Sequence, residues 1–219
     1  MAASSGKFVG RAGDKLAWAL DGFGIDVAGW TCADFGCNVG GFTHCLLSRG
    51  AAKVYAVDTG YGFLAWALRK DPRVVVMERT NALYAPPEPG GVDLVAIDVA
   101  WTPQRLIVPA ARAWLRGPQA GAGVPAARAW LGPAQSGAGG GVILSLLKPH
   151  YELAKLQGGK PRSPLDLPTS REVCLTVCRQ LHELGCTVQA ICPSAVIGKG
   201  GNLEYLLLIR PSAPFLATP

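Results

Sequence analysis

At 219 residues the chain is long enough for one substantial core and too short for two comfortable ones. Its 49% apolar and 16% charged residues are a globular balance, and no apolar run reaches the roughly 18 to 20 residues of a membrane span. A formal charge of +6 suits a polyanionic partner without requiring one.

In chain order, "DKLAWALDGFG" (14–24) has helical spacing, "TCADF" (31–35) reads as a strand and "GFTHCLLSRG" (41–50) as a helix. The pattern repeats with strand "KVYAVD" (53–58), helix "GFLAWALRKD" (62–71) and strand "RVVVM" (73–77). Strand "VDLVAID" (92–98) and helix "PQRLIVPAARAWL" (103–115) come next, then strand "GVILSLL" (141–147) and helix "SREVCLTVCRQLHELG" (170–185). Two final strands, "TVQAICP" (187–193) and "LEYLLLI" (203–209), are separated by a loop too short for a helix. Strands alternating with helices predict an α/β fold with a seven-stranded, mostly parallel sheet in a single domain over 1–219, closed by an antiparallel C-terminal hairpin at one edge. One segment interrupts the alternation: "VPAARAWLRGPQAGAG" (108–123) is followed by the near copy "VPAARAWLGPAQSGAG" (124–139). Two copies do not make a solenoid, so this tandem duplication predicts a surface insertion without a chemical role.

"MAASSGKFVGRAGDK" lacks the apolar stretch of a secretory signal, so the seven cysteines, which include no C-x-x-C pair, are expected in the cytoplasm as buried thiols and not as disulfides or metal ligands.

The stretch "CADFGCNVGGFTHCLL" (32–47) is a strand, a tight loop and a helix. Gly36, Gly40 and Gly41 are spaced G-x-x-x-G-G, which fails the G-x-G-x-x-G fingerprint of a dinucleotide site. The loop still offers backbone N–H groups and a helix dipole to a carboxylate. Asp34 before it would repel a pyrophosphate and attract an ammonium. Asp58 ends the second strand, where an acid hydrogen-bonds ribose hydroxyls, and Asn81 is placed to meet an adenine edge. Ribose, base and a zwitterionic tail without phosphate describe S-adenosylmethionine. Its expected site is Asp34, Gly36, Cys37, Asn38, Gly40, Gly41, Phe42, Asp58, Asn81 and Asp98.

"GRAGDKLAWAL", "DFGCNVGGFTHCLLSRGAAKVYAVDTGYG", "ERTNA", "DLVAIDVAW", "LLKPHYE" and "GNLEYLLLIR" occur in the order and spacing of the FtsJ-like methyltransferases, and resemble in particular the TlyA family of ribosomal RNA 2'-O-methyltransferases. The resemblance implies a Rossmann-like class I methyltransferase fold and a catalytic tetrad at Lys15, Asp98, Lys148 and Glu204. It also implies transfer of a methyl group from S-adenosylmethionine to a ribose 2'-hydroxyl, usually of cytidine, in ribosomal RNA. Family members usually begin with a small S4-type RNA-binding domain, which is not expected in this chain. Cys37, Asn38 and Val39 stand where the family has Ala-Ser-Thr, "DVAWTP" replaces a pattern like "DVSFIS", and "KPHYE" replaces "KPQFE".

RNA contact is then expected from the domain itself. Lys7, Arg11, Lys155, Lys160 and Arg162, the last three in a loop, would hold phosphates, with Trp101 and Tyr151 available to stack on a displaced base. No metal and no membrane partner is expected, and the residues leave oligomeric state open. The alternatives are a non-catalytic RNA-binding or ribosome-assembly factor, and a methyltransferase for another RNA or a small hydroxylated substrate.

Overall fold

The computed structural model describes residues 6–117, 140–160 and 164–212. Helix α1 (Ala12–Phe23) leads into strand β1 (Thr31–Phe35), followed by α2 (Gly41–Ser48), β2 (Lys53–Val57), α3 (Trp66–Arg69), β3 (Val74–Met77) and β4 (Leu94–Ile97). Then come α4 (Gln104–Trp114), β5 (Val142–Leu147), α5 (Pro149–Gln157), α6 (Leu167–Glu183), β6 (Cys186–Pro193) and β7 (Tyr205–Pro211).

One seven-stranded sheet runs in the order β3-β2-β1-β4-β5-β7-β6, and β7 runs antiparallel to both β5 and β6. The expected hairpin of β6 and β7 is present, but β7 inserts between β5 and β6 and leaves β6 at the edge. Residue burial explains the choice: Tyr205–Ile209 of β7 are all buried, as a strand covered on both faces requires, whereas β6 is mostly half-buried.

The order reverses between β1 and β4, and in such sheets the crevice beyond the carboxyl ends at this reversal receives the ligand. One apolar layer packs Leu16, Leu20, Phe42, Leu46, Leu144 and Leu206 on the α1/α2 face. The other packs Phe35, Ile97, Trp114, Val177, Leu207 and Ile209 on the α4/α6 face. Trp114 anchors the second layer, edge-on to Phe35 at 5.2 Å between ring centroids, with its indole N–H donated to the Ala85 carbonyl at 3.3 Å.

Four details differ from the sequence expectation. Helix α3 is a single turn, the rest of 62–71 being loop. Helix α5, headed by Pro149 and closed by left-handed Gly158, was not foreseen, and it takes Lys155 out of a loop and into a last helical turn. Helix α6 begins at Leu167, where the Asp166 carboxylate accepts the Thr169 N–H. Glu204, expected within the last strand, immediately precedes it. Of the duplication, Val108–Trp114 lie in α4, and residues 118–139 are outside the described residues. The seven cysteines are free thiols, five of them buried.

Candidate active site

The loop after β1 is tied to its neighbours by backbone geometry. Gly36 and Cys37 both donate N–H to the Val57 carbonyl, at 2.9 and 3.2 Å. At φ 86°, Gly36 is in a region side chains rarely adopt, and a Cβ there would sit 2.7 Å from the Asp98 carbonyl oxygen. The loop can therefore lie flat against the end of β4 only as glycine. Asn38, at φ 47°, donates its N–H to Asp58 Oδ2 at 2.8 Å, while Asp58 Oδ1 accepts the Gly60 N–H at 2.7 Å. A carboxylate has about four lone-pair sites, so Asp58 keeps acceptor capacity for hydroxyls while holding both turns.

Asp34 lies wholly beneath the loop. Its Oδ2 accepts both the backbone N–H and the hydroxyl of Thr43, at 2.8 and 2.6 Å, capping α2, whose own N-cap Gly40 has no side chain to do so. Oδ1 is buried without a partner. Burial pushes the carboxyl up to about 7, against the Thr43 hydrogen bonds and with the nearby Asp98 charge adding to the rise. A buried acceptor short of a donor is what an ammonium would complete.

The other expected cofactor residues divide. Gly36, Asn38, Asp58 and Asp98 meet around the loop, and Asn81 follows β3 at the same sheet edge, exposed, with its Oδ1 accepting the Leu83 N–H. Phe42, 2% exposed, belongs to the core, and the Cys37 side chain is buried in the same layer. Gly41 is spent on helix packing: a Cβ there would lie 2.9 Å from the Ala12 methyl and 3.0 Å from the Gly13 nitrogen. These three can face a ligand only with backbone groups.

The four expected catalytic residues form two ion pairs. Lys148 Nζ lies 2.6 Å from Asp98 Oδ1, and Lys15 Nζ lies 2.5 Å from Glu204 Oε2. All four side chains are 5 to 18% exposed, so both pairs are largely withdrawn from water. Strand register brings them to one edge. Leu147 of β5 pairs with Tyr205 of β7, which sets Lys148 and Glu204 side by side, and Asp98 follows Ile97 of β4, which pairs with β5 at Ser145.

Aromatic residues follow both members of the Lys148–Asp98 pair closely in the chain. Trp101, 64% exposed, and half-buried Tyr151 have ring centroids 5.1 Å apart, and Tyr151 in turn lies 4.3 Å from His150. Lys7, Arg11, Lys155 and Lys160 are exposed. Arg162 is outside the described residues, which contain no cluster of three or more potential metal ligands. Among the described residues no helix is long and apolar enough to cross a membrane.

Residues 8–210 match the FtsJ-like methyltransferase family. The chain belongs to that family. It is 40% identical over 205 residues to the Mycobacterium tuberculosis 16S/23S rRNA (cytidine-2'-O)-methyltransferase TlyA, a match covering 93% of this chain and 68% of the relative. A solved Streptococcus thermophilus structure, provisionally named a hemolysin, shares 31% identity at a TM-score of 0.77, covering 94% of this chain and 68% of that one. A Listeria monocytogenes structure provisionally described as an S-adenosylmethionine-dependent methyltransferase has a TM-score of 0.61 at 14% identity, which speaks for the Rossmann-like fold alone.

Sequence reasoning missed two features of this FtsJ-like site. Tyr61, Phe63 and Trp66, beyond the carboxyl end of β2, are 61 to 69% exposed. Arg79 lies over the Tyr61 ring at 4.0 Å and Lys70 over Trp66 at 4.8 Å, so cations and aromatics interleave on the ligand edge. Three aromatics within 61–66 followed by Arg69 and Lys70 were the available signal. The second feature is buried: Glu152 of α5 accepts the N–H of Gln104, the first residue of α4, at 2.8 Å. A partner 48 positions away left no local signal.

Proposed function

We propose that the protein transfers the methyl group of S-adenosylmethionine to a ribose 2'-hydroxyl of ribosomal RNA, with cytidine, the nucleoside in the name of the Mycobacterium tuberculosis relative, as the acceptor. The observation that carries this reading is the pair of nearly buried lysine–carboxylate ion pairs on the sheet edge beside the glycine loop. The chain acts as one methyltransferase domain, and its substrate places it in the cytoplasm.

S-adenosylmethionine supplies, when bound, a methyl group on a sulfonium that already leaves readily. The residues present fit it. Asp34 Oδ1 lacks a donor that an ammonium would provide and Asp58 retains acceptors for ribose hydroxyls, whereas the N–H groups of Gly36, Cys37, Asn38 and Gly40 are already spent inside the protein. Activation therefore falls on the acceptor hydroxyl, a weak nucleophile. Lys148, held by Asp98, orients that hydroxyl and takes up its proton after giving its own ammonium proton to solvent, while Lys15, held by Glu204, adds positive charge where oxyanion character develops. A positioned base contributes about 10² to 10⁴-fold, and in-line placement of the reacting atoms contributes at least as much.

Trp101 and Tyr151 flank the approach to Lys148 and suit a base drawn out of its stack. Exposed Lys7, Arg11, Lys155 and Lys160, together with the Tyr61–Arg79 and Trp66–Lys70 pairs, suit phosphates and unpaired bases on the same edge.

Three substitutions separate the roles. Lys148→Ala is expected to abolish 2'-O-methylation of ribosomal subunits while isothermal titration still detects S-adenosylmethionine. Lys148→Arg keeps a donor but not a group that can lose its proton, so full activity would make Lys148 a positioning donor, and loss would make it the base. Asp58→Ala is expected to weaken cofactor binding, and an unchanged titration would remove Asp58 from that site.

A further inference from the structure

Two helices that begin at the ligand edge take their cap from a carboxylate on another element. For α2 the missing acceptor comes from Asp34, next to the cofactor loop. For α4 the N-cap is Pro103, whose ring has no acceptor, and the carboxyl that takes its place belongs to Glu152 on α5. Glu152 is 6% exposed, and burial raises its carboxyl pKa, partly offset by the Gln104 N–H and by Arg105. A serine or aspartate at position 103 would cap α4 with no carboxyl taken out of water. What the actual arrangement adds is a tie between two elements.

The tie continues inward. Gln104, 2% exposed, accepts the Ser145 hydroxyl at 2.6 Å and donates to the Leu146 carbonyl at 3.4 Å, so β5, α4 and α5 are joined by one buried chain of hydrogen bonds. Helices α4 and α5 each pack on α6. The chain therefore spans the gap between the segment carrying Asp98 and Trp101, which leads into α4, and the segment carrying Lys148 and Tyr151, which leads into α5. Both contacts across that gap, Lys148–Asp98 at 2.6 Å and Trp101–Tyr151 at 5.1 Å, depend on how far apart the two helix starts are held.

We propose that Glu152 is a positioning residue for methyl transfer: by capping α4 from α5 it sets the separation of the Trp101 and Tyr151 rings and so seats the acceptor ribose against Lys148. The inference rests on the ribose-methylating function proposed above. Glu152→Ala is expected to lower kcat on ribosomal subunits by about 10- to 100-fold and to raise KM for RNA, because small misplacements of reacting groups carry costs of that size. Affinity for S-adenosylmethionine should be unchanged. Glu152→Gln should restore most of the rate, since its amide oxygen can accept the same N–H.

Wild-type kcat and KM in Glu152→Ala would overturn the proposal, and so would a Glu152→Gln variant as impaired as Glu152→Ala. If Glu152→Ala does not fold, Ser145→Ala removes one hydroxyl from the same chain. A reduced kcat at unchanged cofactor affinity is then expected, and a wild-type kcat would overturn it. Amide hydrogen exchange at Gln104 reads the brace without turnover: protection in the wild type should be lost in Glu152→Ala, and equal exchange in the two contradicts it. A wild type with a protected Gln104 and no methylation of RNA would instead remove the functional reading and leave the brace standing.

Discussion

Asp34 is the residue at which burial and function are most closely joined. Its carboxyl holds a proton up to about pH 7 in the fold but only to about pH 4 in an unfolded chain. The folded state binds that proton more tightly, so this group's stabilising contribution is full below about pH 4 and is lost as pH rises through about 7. Asp34→Asn should flatten this part of the profile: urea melts of ligand-free protein at pH 5 and pH 8 should show the wild type losing stability relative to the variant at the higher pH. Parallel profiles would mean that Asp34 is ionised throughout. That Lys15, Asp98, Lys148 and Glu204 come together at one edge was legible through the family resemblance, and that Asp58 lies against the glycine loop from its distance behind it. Phe42 and Cys37 were named for the cofactor site without a sign that their side chains turn inward, because a sequence shows which residues surround a loop but not which way each faces. Only the structure puts Phe42 at 2% and Cys37 at 4% exposure.

Among elements, the loop between β1 and α2 is the least tolerant. Gly36→Ala would combine an unfavourable φ, costing about 1 to 2 kcal/mol for a residue with a side chain, with a Cβ 2.7 Å from the Asp98 carbonyl. Denaturant titration should register at least that loss, and S-adenosylmethionine binding should weaken with it as the loop lifts from β4. An alanine variant of wild-type stability would show that the loop does not depend on this close approach. Strands were legible because each is a short apolar run bounded by turn residues. The insertion of β7 between β5 and β6 was not, since a hairpin can join a sheet by either of its strands. Local pattern does not rank the two, although the unbroken apolarity of "YLLLI" (205–209) is the trace of the interior choice. Helix α5 was hidden by its brevity, nine residues with a proline at the first.

Across the whole molecule, a formal charge of +6 and the cation–aromatic pairs on the ligand edge predict RNA binding that weakens steeply with salt. Tyr61→Ala and Trp66→Ala should each weaken RNA binding by about 1 to 3 kcal/mol if their rings stack on bases. Filter-binding titrations over a range of potassium chloride check both statements, and Tyr61→Ala and Trp66→Ala with wild-type RNA affinity would confine recognition to the Lys148 side of the edge. The sequence indicated a polyanionic partner through its charge, but not where that partner rests, because Arg79 reaches Tyr61 only once β2 and β3 are paired. The central claim is ribose methylation by this sheet edge. Its most direct test is mass spectrometry of nucleosides from ribosomal subunits incubated with purified protein and S-adenosylmethionine. The expected product is 2'-O-methylcytidine, formed with the wild type and not with Lys148→Ala. A product methylated on a base, or equal ribose methylation by the two proteins, would contradict it.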